Sequence, residues 1–336
     1  MGDFDAKAKE YMSRNDRFAD AFNFYLYGGK HVIKPEALRE LDTSGIVIPY
    51  TQENNKAGSS KENPVQKYRD VFKSWKVMSD GRAIYALLGT ELQKTVHYAM
   101  PVRNLLYDAI NYSDQVKLAG QKSRKAPGDK SKGISSAEFL SGFKKSDRLM
   151  PVITLTIFFG PDEWDGPKTL HEMFGDEYGE FAEYLPEYRL NLLEPAGINP
   201  EDFKKFGSEL GEVLEYIKYS KDEQKLESAI SANEKYRSVD RDTASLIKEA
   251  TGSELELKEE EGKVDMCQAI KDMKEHSKMD GVREGKIAGR IEGKIEGKIE
   301  ELIFLVKEGD ISVVRAAARL EITPEEFTEK YLKKSE

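Results

Sequence analysis

Between Leu149 and Gly160 the chain reads LMPVITLTIFFG, and from Val152 to Phe159 it carries only apolar residues and two threonines. A run this continuous and rich in β-branched residues is a strand of the kind buried on both faces of a sheet. At this length it is far too short to span a bilayer. The other patterns have to be arranged around it.

Upstream, AKAKEYMSRNDRFADAFNFYLY (Ala6–Tyr27) reads as one helix, with Phe18, Ala21, Phe22 and Tyr25 at helical spacing and Gly28-Gly29 ending it. A short helix is expected at Pro35–Leu41, and Thr51–Pro64 reads as a polar loop. KYRDVFKSWKVM (Lys67–Met78) and AIYALLGTELQ (Ala83–Gln93) are rich in β-formers, and the Ser79-Asp80-Gly81-Arg82 between them signals a hairpin turn. MPVRNLLYDAINYSDQVKLAG (Met100–Gly120) is an amphipathic helix with Pro101 suited to its first turn, followed by a lysine-rich loop, Gln121–Gly133. After the buried strand, DEWDG (Asp162–Gly166) turns the chain and Tyr188–Leu193 forms another strand. Glu201–Tyr219 and Lys221–Ala250 read as helices.

The tail differs in kind. In GVREGKIAGRIEGKIEGKIEELI (Gly281–Ile303), Gly281, Gly285, Gly289, Gly293 and Gly297 recur every four residues. A basic row (Lys286, Arg290, Lys294, Lys298) and an isoleucine row (Ile287, Ile291, Ile295, Ile299) run beside them. On a helix each row advances by about 40° per repeat. Every exposed glycine costs roughly 0.8–1 kcal/mol against alanine. Close approach of another helix would give the glycines a purpose, as small-xxx-small spacing does in membranes; a solvated linker helix is the other reading. ISVVRAAARLEITPEEFTEKYL (Ile311–Leu332) reads helix, turn, helix. Its second helix carries Glu325, Glu326 and Glu329, which phosphates would repel, so a structural hairpin is favoured over a DNA reader.

The 336 residues carry a net charge of −9, unevenly spread. Residues 1–150 hold 25 Lys+Arg against 18 Asp+Glu, and the remainder 27 against 43. The acidic whole argues against nucleic-acid binding, while the basic front half restores that option locally or merely reflects lysine-rich loops. A lone Cys267 excludes a disulfide framework and a cysteine-based metal site. The opening MGDFDAKAKEYM lacks the pattern of a secretory signal, so a cytoplasmic location without membrane association is expected.

Several chemistries find no support. His31, His97, His171 and His276 lack metal-ligand spacing, and there is no Gly-x-Ser-x-Gly elbow, P-loop or strand-borne Gly-x-Gly-x-x-Gly. DEWDG is too short for a calcium loop. What remains is carboxylates near strand ends. Period-two geometry sends Glu91 and Gln93 to one face, and a hairpin brings Asp70 beside Glu91 at the same end of neighbouring strands. Two such carboxylates repel unless a cation lies between them. Mg²⁺ suits the place, taking one or two carboxylates, several waters and a phosphate oxygen, and it activates water for phosphodiester hydrolysis. A solvated surface acid is the plain alternative at each position.

In context, Asp70, then Glu91-x-Gln93, with Asn15-Asp16-Arg17-Phe18 before and MPVRNLLYDAINY after, resembles the Rpn family. These are recombination-promoting nucleases, often labelled transposases, of the PD-(D/E)XK superfamily. PVITLTIFFGPDEWDGP, the glycine repeat and the closing AAARLEITPEEF resemble further landmarks of that family, so the resemblance covers nearly the whole chain. It implies an α/β restriction-endonuclease-like fold, a mixed central sheet flanked by helices and followed by a helical C-terminal region. It implies divalent-metal-dependent DNA cleavage with Mg²⁺ or Mn²⁺, a 3′-oxygen leaving group, and a role in recombination, mobile-element biology or defence.

By the same resemblance Asp70 and Glu91 hold the metal, Asp16 completes the outer shell, Gln93 orients water, and Arg103 steadies a phosphate; Tyr107 packs. Gln93 departs from the superfamily's usual lysine: it can position water by hydrogen bonds but supplies no positive charge. The expected organisation is a nuclease-like domain at 1–225, a helical extension at 226–280, the repeat helix at 281–305 and the hairpin at 306–336. A catalytically silent scaffold assembling through Gly281–Ile303, and a non-cutting DNA-binding regulator, are the alternatives.

Overall fold

The computed structural model describes residues 3–41, 44–50, 63–79, 82–125 and 135–333. The central turn residues Asp80 and Gly81 lie outside them, as do 51–62 and 126–133 of the two expected loops. The chain divides into two compact units, Met1–Ala269 and Ile270–Glu336.

The first unit opens with α1 (Asp3–Ser13), α2 (Asn15–Tyr27), β1 (Leu38–Glu40), β2 (Ser44–Tyr50), β3 (Asn63–Tyr68), β4 (Val71–Ser79) and β5 (Arg82–Gln93). There follow α3 (Met100–Lys125), α4 (Ser136–Ser141), β6 (Val152–Phe158) and β7 (Asn191–Leu193). It closes with α5 (Leu210–Tyr219), α6 (Glu223–Ala232), β8 (Val239–Asp240), α7 (Arg241–Thr251), β9 (Glu259–Glu260) and β10 (Lys263–Val264). Among the described residues its main sheet has five strands in the order β1-β4-β5-β6-β7. The sheet is mixed: β1, β4 and β5 pair antiparallel, while β5–β6 and β6–β7 are parallel. The fold is therefore mixed α/β.

The long apolar run becomes β6, hydrogen-bonded on both sides and covered on both faces. Cross-strand register sorts the residues. Leu88, Thr90 and Leu92 stand beside Ile153, Leu155 and Ile157 on one face, and Leu87, Gly89, Glu91 and Gln93 beside Val152, Thr154, Thr156 and Phe158 on the other. The first face meets α1 and α2, where Phe4 packs edge-on to Phe159 at 5.6 Å. The second lies under α3: Phe72, Leu87 and Val152 pack with Tyr112, and Met100 with Phe158 and Trp164.

Three local departures from the sequence reading have identifiable causes. The expected helix Ala6–Tyr27 is two helices, broken at Arg14, whose backbone is extended (φ −67°, ψ 131°). The buried Lys73 ammonium takes the Ser13 carbonyl at 2.6 Å and the Asn15 side chain at 2.7 Å, so the carbonyl that would carry the helix on is engaged elsewhere. Pro35–Leu41 gives one 3₁₀ turn and then strand β1. The helix expected at Glu201–Tyr219 is interrupted before α5 because the backbone N–H groups of Gly207 and Ser208 both donate to the buried Asp20 carboxylate at 2.9 Å. Gly28 and Gly29 end α2 as expected, at φ 61° and 89°, a left-handed geometry that suits glycine. Lys221–Ala250, expected as a helix, is instead α6, a 3₁₀ turn at Glu234–Arg237, the short strand β8 and α7; α7 packs on α1 and α5, and β8, β10 and β9 form a small sheet.

The second unit holds most of α8 (Met266–Lys307), with α9 (Val313–Arg319) and α10 (Pro324–Phe327). The hairpin is built as read: Thr323 and Glu326 form a capping box ahead of α10, and Leu302, Ala316, Ala317 and Phe327 make a small core.

Candidate active site

Asp70 is not inside a hairpin strand. It sits in the bend between β3 and β4, and the pairing of Val71 with Thr90 sets it beside Glu91 at the C-terminal end of β5. The Leu92 N–H donates to Asp70 Oδ2 at 2.8 Å, which pins the carboxylate to the strand edge. Burial raises the Asp70 carboxyl above its ordinary value; the Leu92 N–H, Arg103 and Lys9 pull it down, and Asp5 pushes it up.

Glu91 is fully buried. Neither of its oxygens makes a hydrogen bond among the described residues, and the Arg103 guanidinium stands 3.0 Å from Oε2 as an ion pair outside hydrogen-bond geometry. Burial pushes the carboxyl up to about 8; Arg103 opposes the shift and the Asp70 charge adds to it. Arg103 lies in the first turn of α3, and Tyr107 one turn on faces the same guanidinium with its ring 5.8 Å away.

Below this pair lies a polar layer that explains the unusual face of β5. Arg69, only 4% exposed, crosses over Gly89 and pairs with Asp108 of α3 at 2.6 Å. Asp108 also accepts from Thr154 at 2.6 Å and Tyr188 at 2.7 Å, while Asn104 donates to Thr156 at 3.0 Å. The threonines of the apolar strand thus face the polar stripe of α3, and Gly89 leaves room for the guanidinium.

A cavity of about 610 Å³ opens at this strand end, between helices from both faces of the sheet. Asp70, Gln93 and Arg103 line it with Asp5 and Lys9 of α1, Arg69, Lys94, Thr95, His97 and Tyr107. The structure therefore brings Asp70, Gln93 and Arg103 together on the cavity wall, with Glu91 beside Asp70 and Arg103 but fully buried and outside the lining. Asp16 is not among the lining residues: its carboxylate takes the Arg14 guanidinium at 3.0 Å, and Arg14 pairs onward with Asp240 at 3.3 Å. Arg14 and burial act in opposite directions on Asp16, and its carboxyl ends below the ordinary value.

Sequence reasoning did not find Lys9, Asp5, Arg69 or Asp108. The signals were present: Asp5 and Lys9 are four apart on one helix face, Arg69 adjoins Asp70, and Asn104 and Asp108 are four apart beneath paired threonines.

Among the described residues no group of three or more His, Cys, Asp or Glu is arranged to hold a metal ion. Two carboxylates nevertheless suit a largely hydrated Mg²⁺, which needs no all-protein cage. Buried carboxylate oxygens without donors at Glu91 fit a cation in the same way. Compared with protein-family models, curated proteins and solved structures, the chain gives no match.

Proposed function

We propose that the chain is a divalent-metal-dependent DNA endonuclease of restriction-endonuclease-like fold, acting in recombination, mobile-element biology or defence. The observation that carries the reading is the pairing of Asp70, which lines the cavity, with a fully buried, hydrogen-bond-free Glu91 beside it at the same strand end. In this reading Asp70 and Glu91 hold Mg²⁺ or Mn²⁺. When bound, the ion supplies Lewis-acid stabilisation and a water of lowered pKa.

The chain's own residues do the rest. Gln93, on the same face of β5 as Glu91, offers an amide that orients the attacking water. Arg103 neutralises Glu91 and presents its remaining N–H groups to a scissile phosphate. Lys94, Thr95 and His97 frame the mouth where the strand passes. The layer of Arg69, Asp108, Thr154 and Tyr188 holds β5 and α3 at fixed separation, so that Glu91 and Arg103 stay aligned.

Relaxation of supercoiled plasmid tests the reading. Nicking that needs Mg²⁺ and stops in EDTA supports it; no nicking with Mg²⁺ or Mn²⁺ sinks it.

A second reading has its own observation. Arg103 already balances the Glu91 charge without a metal, as a silent scaffold would require. Such a scaffold, or the nuclease itself, self-associates through Gly281–Ile303, where Ile287, Ile291 and Ile295 are 53–55% exposed. Retained DNA binding without cutting favours the scaffold or regulator.

A further inference from the structure

The cavity is lined by four cationic side chains, and their engagements differ. Arg103 is paired with Glu91, and the Lys94 ammonium is held by the Glu249 carbonyl at 2.5 Å. Arg69 uses only Nη2, on Asp108; its Nε and Nη1 are buried and have no acceptor among the described residues. Lys9 makes no ion pair and its ammonium no hydrogen bond among the described residues, although it lies near enough to Asp70 to act on its charge.

Lys9 thus keeps unused donors at the cavity wall, and the buried Arg69 guanidinium adds positive charge to the same wall. An oxyanion entering the cavity would take the Lys9 donors and be drawn by the positive charge of Arg69, whose own free N–H groups are closed off. Lys9 suits the outer contact: a compact ammonium on a flexible stem, fixed at its root by α1, with three donors to turn toward an oxygen. Gln93 and Thr95 add neutral donors alongside. The carboxylates Asp5 and Asp70 in the same wall keep a free anion from settling without a counter-cation, which selects for a ligand anchored elsewhere along its length. A phosphate within a polynucleotide is such a ligand.

From these observations we infer that Lys9 receives one phosphate of a DNA strand beside Asp70, with the buried Arg69 guanidinium adding positive charge to the same wall. The inference deepens the nuclease reading by naming a residue that holds the substrate, and it does not require that the strand be cut.

The test is fluorescence anisotropy of the full chain with a labelled 20-base-pair duplex in EDTA, across a KCl series. For Lys9→Gln the affinity should fall about 3–10-fold and the slope of log K against log[salt] should shrink by about one, while Lys9→Arg keeps the wild-type slope. Lys7→Gln, on the same helix but paired with Glu249 at 2.6 Å, controls for general loss of charge and should keep the slope. A wild-type slope in Lys9→Gln overturns the inference, and so does absence of salt-dependent binding by the wild type. A Lys9-dependent slope without nicking in Mg²⁺ upholds this site and rejects the nuclease. Nicking with an unchanged slope does the reverse.

Discussion

Gly89 sits where a side chain would collide with Arg69. A Cβ there meets Nη1 directly, so alanine would push the guanidinium off Asp108. Overpacking of this kind costs about 1–3 kcal/mol. Gly89→Ala should lower the denaturant midpoint accordingly, and in an Arg69→Ala background the same change should cost less than about 0.5 kcal/mol, the signature of coupled neighbours. Equal costs in both backgrounds would show that Arg69 is not the obstacle. Glu91 is a second buried group held without hydrogen bonds: burial raises its carboxyl to about 8, and the Arg103 guanidinium beside it opposes the rise.

At the level of elements, the break between α1 and α2 points both helices at the β8–α7 corner. Arg17, only 1% exposed, takes Asp240 at 3.1 Å and Asp242 at 3.0 Å and stacks on Tyr11, and Lys263 adds a bond to Asp240 at 2.7 Å. That Lys263 bond, against the burial penalty and with help from Arg14 and Arg17, holds the Asp240 carboxyl below its ordinary value. A depressed carboxyl stabilises the fold above the unfolded-state pKa and loses that contribution as pH falls through the folded one. Asp240→Asn should therefore destabilise by about 1–3 kcal/mol at pH 7, with the gap to wild type closing in melts below about pH 4. A gap that stays constant into acid would contradict the assignment.

The elements also show what the sequence could carry. The shared face of Glu91 and Gln93 was legible because strand periodicity is local. The split of Ala6–Tyr27 was not, because its cause, the Lys73 ammonium, arrives from β4 sixty residues away. Asp16 is displaced for a similar reason: its guanidinium network reaches residues 240–242, a pairing no spacing reveals.

On α8 the four-residue repeat sets lysine and glutamate rows on opposite flanks of the isoleucine row. In a parallel pair of copies opposite flanks meet, so unlike charges face one another; an antiparallel pair would set like against like. Sedimentation should therefore show a concentration-dependent dimer that Ile291→Ser with Ile295→Ser abolishes. A wild-type monomer at all concentrations would refute self-association there.

Over the whole molecule, the cavity and its supporting polar layer belong to the first unit, and the repeat helix and hairpin to the second. Among the described residues no helix is long and apolar enough to cross a membrane. A chain ending at residue 280 should keep the cavity and, with it, plasmid nicking within about threefold of the full chain, a difference under about 1 kcal/mol. The most direct measurement is the Mg²⁺-dependent nicking rate of wild type, Asp70→Ala, Glu91→Ala and Asp16→Ala, each first checked for an unchanged melting profile. The geometry predicts losses of about 100-fold or more for Asp70→Ala and Glu91→Ala, as removal of a principal charge-stabilising group gives, with Asp16→Ala close to wild type. Wild-type rates in the Asp70 and Glu91 variants would contradict the site.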